Sequence, residues 1–240
     1  MAFLILITAA SLLAGAIAAV TGFGIGSLLT PLFQQDHDMR LAVAAVSVPH
    51  MIATAVRLWR LRHDVDVRVL KSFGVMSAAG GLTGAVLQRY ATAPSLSIVF
   101  AALLTFAGIS GLIGLSERMR LGRKTGWIAG VLSGALGGLV GNQGGIRSAA
   151  LLGYDLSPSR FVATATAAAL IVDSARMPVY VATEGARLVQ IADVIAVTTA
   201  GAVIGTIAGG RVLKRLPAAV FRKVVGALVL ALGIYMFSRA

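Results

Sequence analysis

Long apolar stretches fill most of the chain and are separated by short polar or basic segments. They cover residues 3–33, 41–58, 72–88, 96–115, 126–152, 161–182, 194–210 and 217–238. The stretches are continuous and rich in Ala, Leu and Val, so they predict helices rather than the alternating strands of a closed barrel. Residues 1–35 contain no Asp, Glu, Lys or Arg, and about 18 such apolar residues already indicate a membrane span. The pattern predicts an all-α integral membrane protein.

Composition agrees with this prediction. Hydrophobic residues make up 58% of the 240 residues and charged residues 12%, whereas about 25% is usual for a soluble domain. The chain has no cysteine, which excludes a disulfide scaffold and a thiol enzyme. No Lys or Arg precedes the first apolar stretch, so we do not expect a cleaved signal peptide.

The net charge of +12 comes from 21 Lys and Arg against 9 Asp and Glu. In a soluble protein this excess would suggest nucleic acid. Here the basic residues cluster between apolar stretches, at 57–71, 118–124 and 211–223. Such clusters hold loops on the cytoplasmic side and bind anionic lipid headgroups. We therefore expect the lipid bilayer, and no nucleic acid, as a partner.

The two halves of the chain, 1–120 and 121–240, repeat each other. The spacing between matching positions drifts only from 119 to 121 residues. Duplications of this kind are common in transporters, with the substrate site where the halves meet. The matches are 13–16 with 132–135, 22–26 with 141–145, 40–44 with 160–164, Gly80 and Gly84 with Gly201 and Gly205, and Phe100 with Phe221.

The distribution of charge favours inverted over parallel repeats. Eight simple crossings place 11 Lys and Arg inside and 8 outside. If the first stretch of each half breaks and doubles back, the N-terminus lies outside and the counts become 15 inside and 4 outside. The second arrangement obeys the positive-inside rule better. We predict inverted repeats, each a glycine-broken helical hairpin followed by three transmembrane helices.

Two glycine-rich segments mark the predicted breaks. Several glycines at one point disfavour a continuous helix, because each costs about 1 kcal/mol relative to Ala. A half-helix that starts at membrane depth offers free N–H groups and a positive dipole end to an anion. We expect the two breaks to converge in mid-bilayer on a small oxyanion. The candidate binding residues at the breaks are Gly22, Gly24, Gly26 and Ser27 in the first half and Asn142, Gln143, Gly144 and Gly145 in the second.

Arg147 directly follows the second glycine-rich segment, after an uncharged run from Thr125 to Ile146. An arginine at membrane depth costs about 2.5–3.5 kcal/mol, so it should face a pocket or a partner. Its guanidinium suits an oxyanion. The alternative is that it extends to the cytoplasmic interface. We predict Arg147 as a substrate-binding residue.

Three further polar residues lie within predicted spans. Asp173 and Arg176 are three residues apart and therefore share a helical face; an internal ion pair is the simpler interpretation. His50 is the one histidine inside a predicted span, and histidine can carry protons near neutral pH. We assign His50, Asp173 and Arg176 to coupling or gating as the alternative to structural roles.

Two alternatives to transport remain at this point. Ser110, in Gly108-Ile109-Ser110-Gly111, suggests an intramembrane serine protease, and His50 is its sole candidate base because His37 and His63 lie outside the spans. An inert membrane scaffold is the other alternative. We predict no enzyme activity, no cofactor and no metal site.

The glycine-rich segments Gly22-Phe23-Gly24-Ile25-Gly26, with Pro31, and Gly141-Asn142-Gln143-Gly144-Gly145 resemble those of the TauE/SafE sulfite exporter family. The resemblance extends over essentially the whole chain. It implies a multi-pass protein of the bacterial inner membrane that exports sulfite, organosulfonates or related small anions.

We therefore expect a secondary transporter that works by alternating access around the two broken helices. A membrane potential of 100 mV, negative inside, favours exit of a monoanion by about 2.3 kcal/mol. Export thus needs no coupling ion, and protons are an alternative coupling partner. A homodimer is an alternative to a monomer.

Overall fold

The computed structural model describes residues 2–115, 125–154, 156–213 and 218–239. No strand occurs among them, so the predicted all-α class is confirmed. A 3-10 turn over Arg62–Asp64 and a π-helical turn over Leu70–Gly74 flank the short helix α4. The helices are α1 (Ala2–Thr21), α2 (Ile25–Phe33), α3 (Met39–Leu61), α4 (Val67–Val69), α5 (Val75–Gln88), α6 (Ala93–Ile113), α7 (Gly126–Val140), α8 (Gly144–Leu152), α9 (Pro158–Gln190), α10 (Ala192–Leu213) and α11 (Ala218–Arg239).

Six helical segments in the described residues are long and apolar enough to cross a membrane. They are Phe3–Thr21, Met39–Asp64, Val67–Gln88, Ala93–Ile113, Pro158–Gln190 and Ala192–Gly209. Two shorter apolar helical segments, Gly126–Val140 and Lys223–Ser238, accompany them. The chain is therefore built as a multi-pass membrane protein.

Both predicted breaks occur, but they are shorter than expected. Only residues 22–24 and 141–143 leave helical geometry. Gly26 belongs to the first turn of α2, and Gly144 and Gly145 belong to the first turn of α8. The glycines at these positions therefore lie at helix starts rather than in unwound backbone.

Helices α3 and α9 pack against each other in opposite directions. Three contacts establish the direction: Asp38 meets Arg187 at 2.5 Å, His50 meets Asp173 at 2.7 Å, and Arg57 meets Thr166 at 3.0 Å. Residue numbers rise along α3 as they fall along α9. This antiparallel pair forms the centre of the molecule and carries every buried charged side chain of the described residues except Arg147.

Helices α1 and α10 pack in parallel, as do α5 and α7, through small residues. A Cβ on Gly80 or Gly84 would clash with the α7 backbone at Val131 or Ala135. The same holds for Gly205 against Leu12 of α1, and Gly201 lies against Ser11. These spaced glycines allow two helix backbones to approach closely.

Each broken helix doubles back towards its own beginning. Ala18, near the end of α1, is held by Arg57 near the end of α3. The chain then returns through α2 towards the start of α3. After α2, Gln34 donates a hydrogen bond to Ser97 of α6 at 2.6 Å. In the second half, Tyr154 after α8 lies against Gly126 at the start of α7.

Two of the polar segments between the predicted spans are largely helical. Residues 59–71 comprise the end of α3, the 3-10 turn and α4, and residues 183–190 belong to α9. With 33 residues, α9 is roughly 50 Å long at 1.5 Å per residue. It therefore exceeds a hydrocarbon core of about 30 Å.

The predicted division of the chain at residue 120 lies outside the described residues. The same is true of the basic residues at 118–124 and of Lys214 and Arg215.

Candidate functional site

The first break is built by two glycines in backbone conformations that other residues rarely adopt. Gly22 has φ of +81° and Gly24 has φ of +126°, and both values favour glycine because it lacks a Cβ. The Gly22 N–H bonds the Ala18 carbonyl at 2.9 Å and closes the end of α1. The Thr21 hydroxyl donates to the Phe23 carbonyl at 2.6 Å and fixes the turn.

The second break repeats this design 119 residues later. Gly141 has φ of +76°, and its N–H bonds the Gly137 carbonyl at 2.9 Å. The Ser133 hydroxyl donates to the Gln143 carbonyl at 3.2 Å and holds the start of α8. Each half-helix thus ends at a left-handed glycine, and a new one begins after a turn of three residues.

The two breaks meet inside the protein, as the sequence predicted. A Cβ on Gly26 would lie 2.7 Å from the Gly141 carbonyl oxygen, and one on Gly144 would lie 2.6 Å from the Phe23 Cβ. The Arg147 Nη2 donates to the Gly22 carbonyl at 3.4 Å across the same junction. The starts of α2 and α8 are therefore neighbours.

Both half-helices begin without a side-chain cap. The first intrahelical bonds run from Leu28 to Gly24 and from Arg147 to Gln143. Helix geometry leaves the preceding N–H groups without an intrahelical acceptor. These are the groups of Ile25, Gly26 and Ser27 in α2 and of Gly144, Gly145 and Ile146 in α8.

The Arg147 side chain is directed into the protein. The residue is 2% exposed, so it does not extend to the interface. Its Nη1 has no hydrogen-bond partner among the described residues, and neither has the Asn142 Nδ2 or the Gln143 Oε1. These polar groups surround the second break and lack the partners that buried polar groups usually have.

Asp173 forms the expected ion pair with Arg176 and also contacts His50. Its Oδ1 lies 2.8 Å from the Arg176 Nη2, and its Oδ2 lies 2.7 Å from the His50 Nδ1. Arg176 also donates to the Gly137 carbonyl, and Tyr180 donates to the Gly138 carbonyl. The predicted trio of His50, Asp173 and Arg176 is thus a single buried cluster between α3 and α9.

Arg57 is a buried residue that the sequence analysis placed in a basic loop cluster. It lies inside α3 and is 4% exposed. Its Nη1 donates to the Ala18 carbonyl at 2.5 Å and its Nε to the Thr166 hydroxyl at 3.0 Å. Arg57 and Arg176 have equivalent roles in the two halves. Arg57 donates to the Ala18 carbonyl, which also accepts from the Gly22 N–H. Arg176 donates to the Gly137 carbonyl, which also accepts from the Gly141 N–H. Only the repeat spacing could have revealed this role in advance.

Positive charge exceeds negative charge in this buried region. Three guanidinium groups, those of Arg57, Arg147 and Arg176, lie around the carboxylate of Asp173, and the other buried carboxylate of the described residues, Glu184, pairs with Arg187. Arg147 is attracted electrostatically by Asp173 and repelled by Arg57 and Arg176. Burying an uncompensated cation is costly, so the region is suited to an added anion.

The space at the breaks is small in this conformation. A cavity of about 10 Å³ is lined by α6 and the second break, which is about the room that one water molecule needs. Its lining residues are Leu103, Phe106, Ala107, Asn142, Gln143, Gly145 and Ile146. A cavity of about 340 Å³ lies elsewhere, between the end of α2 and the end of α11. Among the described residues, no group of three or more His, Cys, Asp or Glu could hold a metal ion.

Comparison with known proteins gives one match. No curated protein and no solved structure matches the chain. A sequence profile described as "Sulfite exporter TauE/SafE" matches residues 7–236, nearly the whole chain. The match includes both breaks and every buried charged residue described above. The chain therefore belongs to the TauE/SafE sulfite exporter family.

Proposed function

We propose that the protein is a secondary transporter that exports a small oxyanion, such as sulfite or an organosulfonate, across the bacterial inner membrane. One observation carries the proposal: two helix starts meet in the interior beside Arg147, whose Nη1 has no partner among the described residues. Free N–H groups, helix dipoles and a guanidinium all favour a negatively charged ligand.

We propose that the halves are inverted repeats. The breaks match at a spacing of 119 residues, and the corresponding helices α3 and α9 run antiparallel. The corresponding helices α6 and α11 also run antiparallel, since Gly108 lies against Leu230 while Gly233 lies against Thr105. These relations support a pseudo-twofold axis in the membrane plane, the arrangement of many transporters.

Transport would proceed by alternating access. Ion pairs join α3 and its flanking turns to α9 at both ends, through Asp38 and Arg187 at 2.5 Å and through Asp66 and Arg160 at 3.7 Å. With both ends joined and a cavity of only about 10 Å³ at the second break, this conformation corresponds to a closed state. Opening one end at a time would expose the breaks to one side of the membrane.

Orientation follows from the basic residues. The N-terminus would lie outside, and most Lys and Arg would face the cytoplasm. Because Arg57 is buried, the number of basic residues assigned to the cytoplasmic side falls by one. The orientation with the N-terminus outside is still the preferred one. Protons are a candidate coupling ion through His50 and Asp173, whose contact lies between the two halves.

The test is flux of sulfite and small sulfonates in proteoliposomes, measured with and without a pH gradient. Arg147→Ala should abolish oxyanion flux while the protein remains folded, because the unpaired guanidinium is removed from the breaks. Arg68→Ala, at an exposed arginine of α4, is the matched control and should transport normally. Unchanged flux in Arg147→Ala would remove this residue from the site.

The protease alternative is not favoured. His50 Nδ1 bonds Asp173, while Ser110 lies in α6 near its contact with α11. Cleavage of a labelled transmembrane peptide, lost in Ser110→Ala, would support it. An inert scaffold would bind and transport none of the oxyanions.

A further inference from the structure

We infer that Arg57 and Thr54 of α3 are anion-binding residues, and that a small oxyanion bridges Arg57 and Arg147 at the first break. The inference rests on the proposed transport function and deepens it. It locates the substrate off the pseudo-symmetry axis, on the side of the first half.

Among the described residues, Arg57 has no charged partner at hydrogen-bond distance, and Asp173 attracts it only through longer-range electrostatics. All its described hydrogen bonds go to neutral acceptors: the carbonyls of Ala18 and Gly22 and the hydroxyl of Thr166. No carboxylate in the described residues forms an ion pair with it. A buried guanidinium in this situation gains strongly from an anionic partner.

Arg147 lies next to Arg57. Its Nη2 and the Arg57 Nη2 each lie 3.4 Å from the same Gly22 carbonyl oxygen. The two cations are therefore neighbours that repel each other. An oxyanion with two or more acceptor oxygens could accept hydrogen bonds from both guanidinium groups. Its negative charge would then offset their mutual repulsion.

The two halves differ in charge at equivalent positions. Three residues before Arg176 stands Asp173, which neutralises it. Three residues before Arg57 stands Thr54, which carries no charge. Arg147 lies four residues after Gln143, the residue before α8. The equivalent position in the first half, four residues after Gly24, is the apolar Leu28. The uncompensated charge is therefore concentrated at the first break.

The Thr54 hydroxyl offers a further hydrogen-bond donor near Arg57. Thr54 is fully buried, and its Oγ1 has no hydrogen-bond partner among the described residues. Positions three apart share a face of a helix, so Thr54 lies one turn from Arg57. This hydroxyl is available to donate to an anion that Arg57 holds.

The test measures sulfite affinity of the purified full-length protein by calorimetry, together with sulfite flux. Arg57→Gln keeps a hydrogen-bond donor near Ala18 but removes the charge, and should weaken sulfite binding by about tenfold or more. Arg57→Lys keeps the positive charge but loses the planar guanidinium. Its sulfite affinity should lie between those of wild type and Arg57→Gln. Arg60→Ala, one turn further along α3 at an exposed position, is the matched control.

Thr54→Val keeps the shape of the side chain and removes a hydroxyl that has no described partner. It should fold as well as wild type and bind sulfite several-fold more weakly. Thr83→Val, at an exposed threonine of α5, should leave affinity unchanged. Thr54→Val decides the question if the Arg57 variants do not fold.

The outcomes separate the two proposals. If wild type neither binds nor transports any oxyanion, the proposed function fails and this inference fails with it. If wild type binds sulfite and folded Arg57→Gln binds equally well, Arg57 is not a binding residue although the transporter proposal stands. If Thr54→Val binds sulfite with wild-type affinity, the Thr54 hydroxyl is not part of the binding site. If, in addition, no Arg57 variant folds, that result overturns the inference.

Discussion

At the scale of single residues, the site depends on a few positions with strict requirements. Gly22 and Gly141 have φ near +80°, where a Cβ meets backbone atoms. Gly145 lies in ordinary helix, and a Cβ there would meet nothing within 4 Å. The glycines of the two motifs therefore differ in purpose although they look alike in the sequence.

Gly22→Ala and Gly141→Ala should each lower the free energy of unfolding by about 1–2 kcal/mol, because alanine is strained in the left-handed region. Gly145→Ala is the control and should be neutral or slightly stabilising, because alanine favours helix. Thermal unfolding in detergent checks the comparison. Equal effects at Gly145 and Gly22 would contradict it.

The ion pair of Asp173 and Arg176 should show strong energetic coupling. Removing one partner leaves a buried charge unpaired, so Asp173→Asn should destabilise the protein by about 3–5 kcal/mol. Arg176→Gln combined with Asp173→Asn should cost less than the sum of the single changes. A double-mutant cycle on unfolding measures this coupling, and strict additivity would argue against the pair.

Residue-scale prediction from the sequence succeeded where spacing alone decides the geometry. The three-residue spacing of Asp173 and Arg176 identified their contact. The spacing could not reveal that His50 joins them, because that contact depends on how α3 packs on α9. Arg57 was misassigned because it directly precedes exposed basic residues, and a count of charges does not distinguish the last buried turn of a helix from the loop.

At the scale of elements, the capping of α3 is linked to the far end of α9. The Asp38 side chain accepts hydrogen bonds from the Arg40 and Leu41 N–H groups and pairs with Arg187 at 2.5 Å. Burial raises the pKa of the Asp38 carboxyl, but the Arg187 hydrogen bond and charge and the two backbone N–H groups outweigh it. The net pKa is lowered.

A lowered pKa in the folded state means that the ionised Asp38 stabilises the protein above the ordinary carboxyl pKa. This contribution is lost as the pH falls through the lowered value. Asp38→Asn should therefore reduce the melting temperature at neutral pH, and the difference from wild type should vanish in strong acid. Asp36→Asn, at an exposed carboxylate on the same connection, is the control. A difference that persists unchanged in strong acid would contradict the assignment.

Element boundaries were predicted well where glycine clusters or charges mark them and less well elsewhere. The breaks were found because glycine is costly within a helix. The helical turns after α3 and the length of α9 were missed because a polar helix that continues beyond the bilayer has no apolar pattern. The pairing of α1 with α10 follows from tertiary packing, which one sequence does not specify.

At the scale of the whole molecule, the two ends of the α3–α9 pair should separate in turn during transport. The chain contains no cysteine, so introduced thiols are unique. A short bis-maleimide linking Asp38→Cys to Arg187→Cys should stop oxyanion flux, and the same reagent should stop flux through Asp66→Cys with Arg160→Cys. Each single-cysteine variant treated in the same way is the control. Full flux in both linked proteins would contradict alternating access through this pair.

The carbonyl of Gly22, shared by two arginines, has a consequence for turnover. An empty carrier must bring both cations together whenever it closes, whereas a loaded carrier closes around a counter-charge. The unloaded return would then be slower than the loaded one, and an anion on the far side would accelerate it. Net export would be limited by this return, and the carrier would dissipate little of the membrane potential while idle.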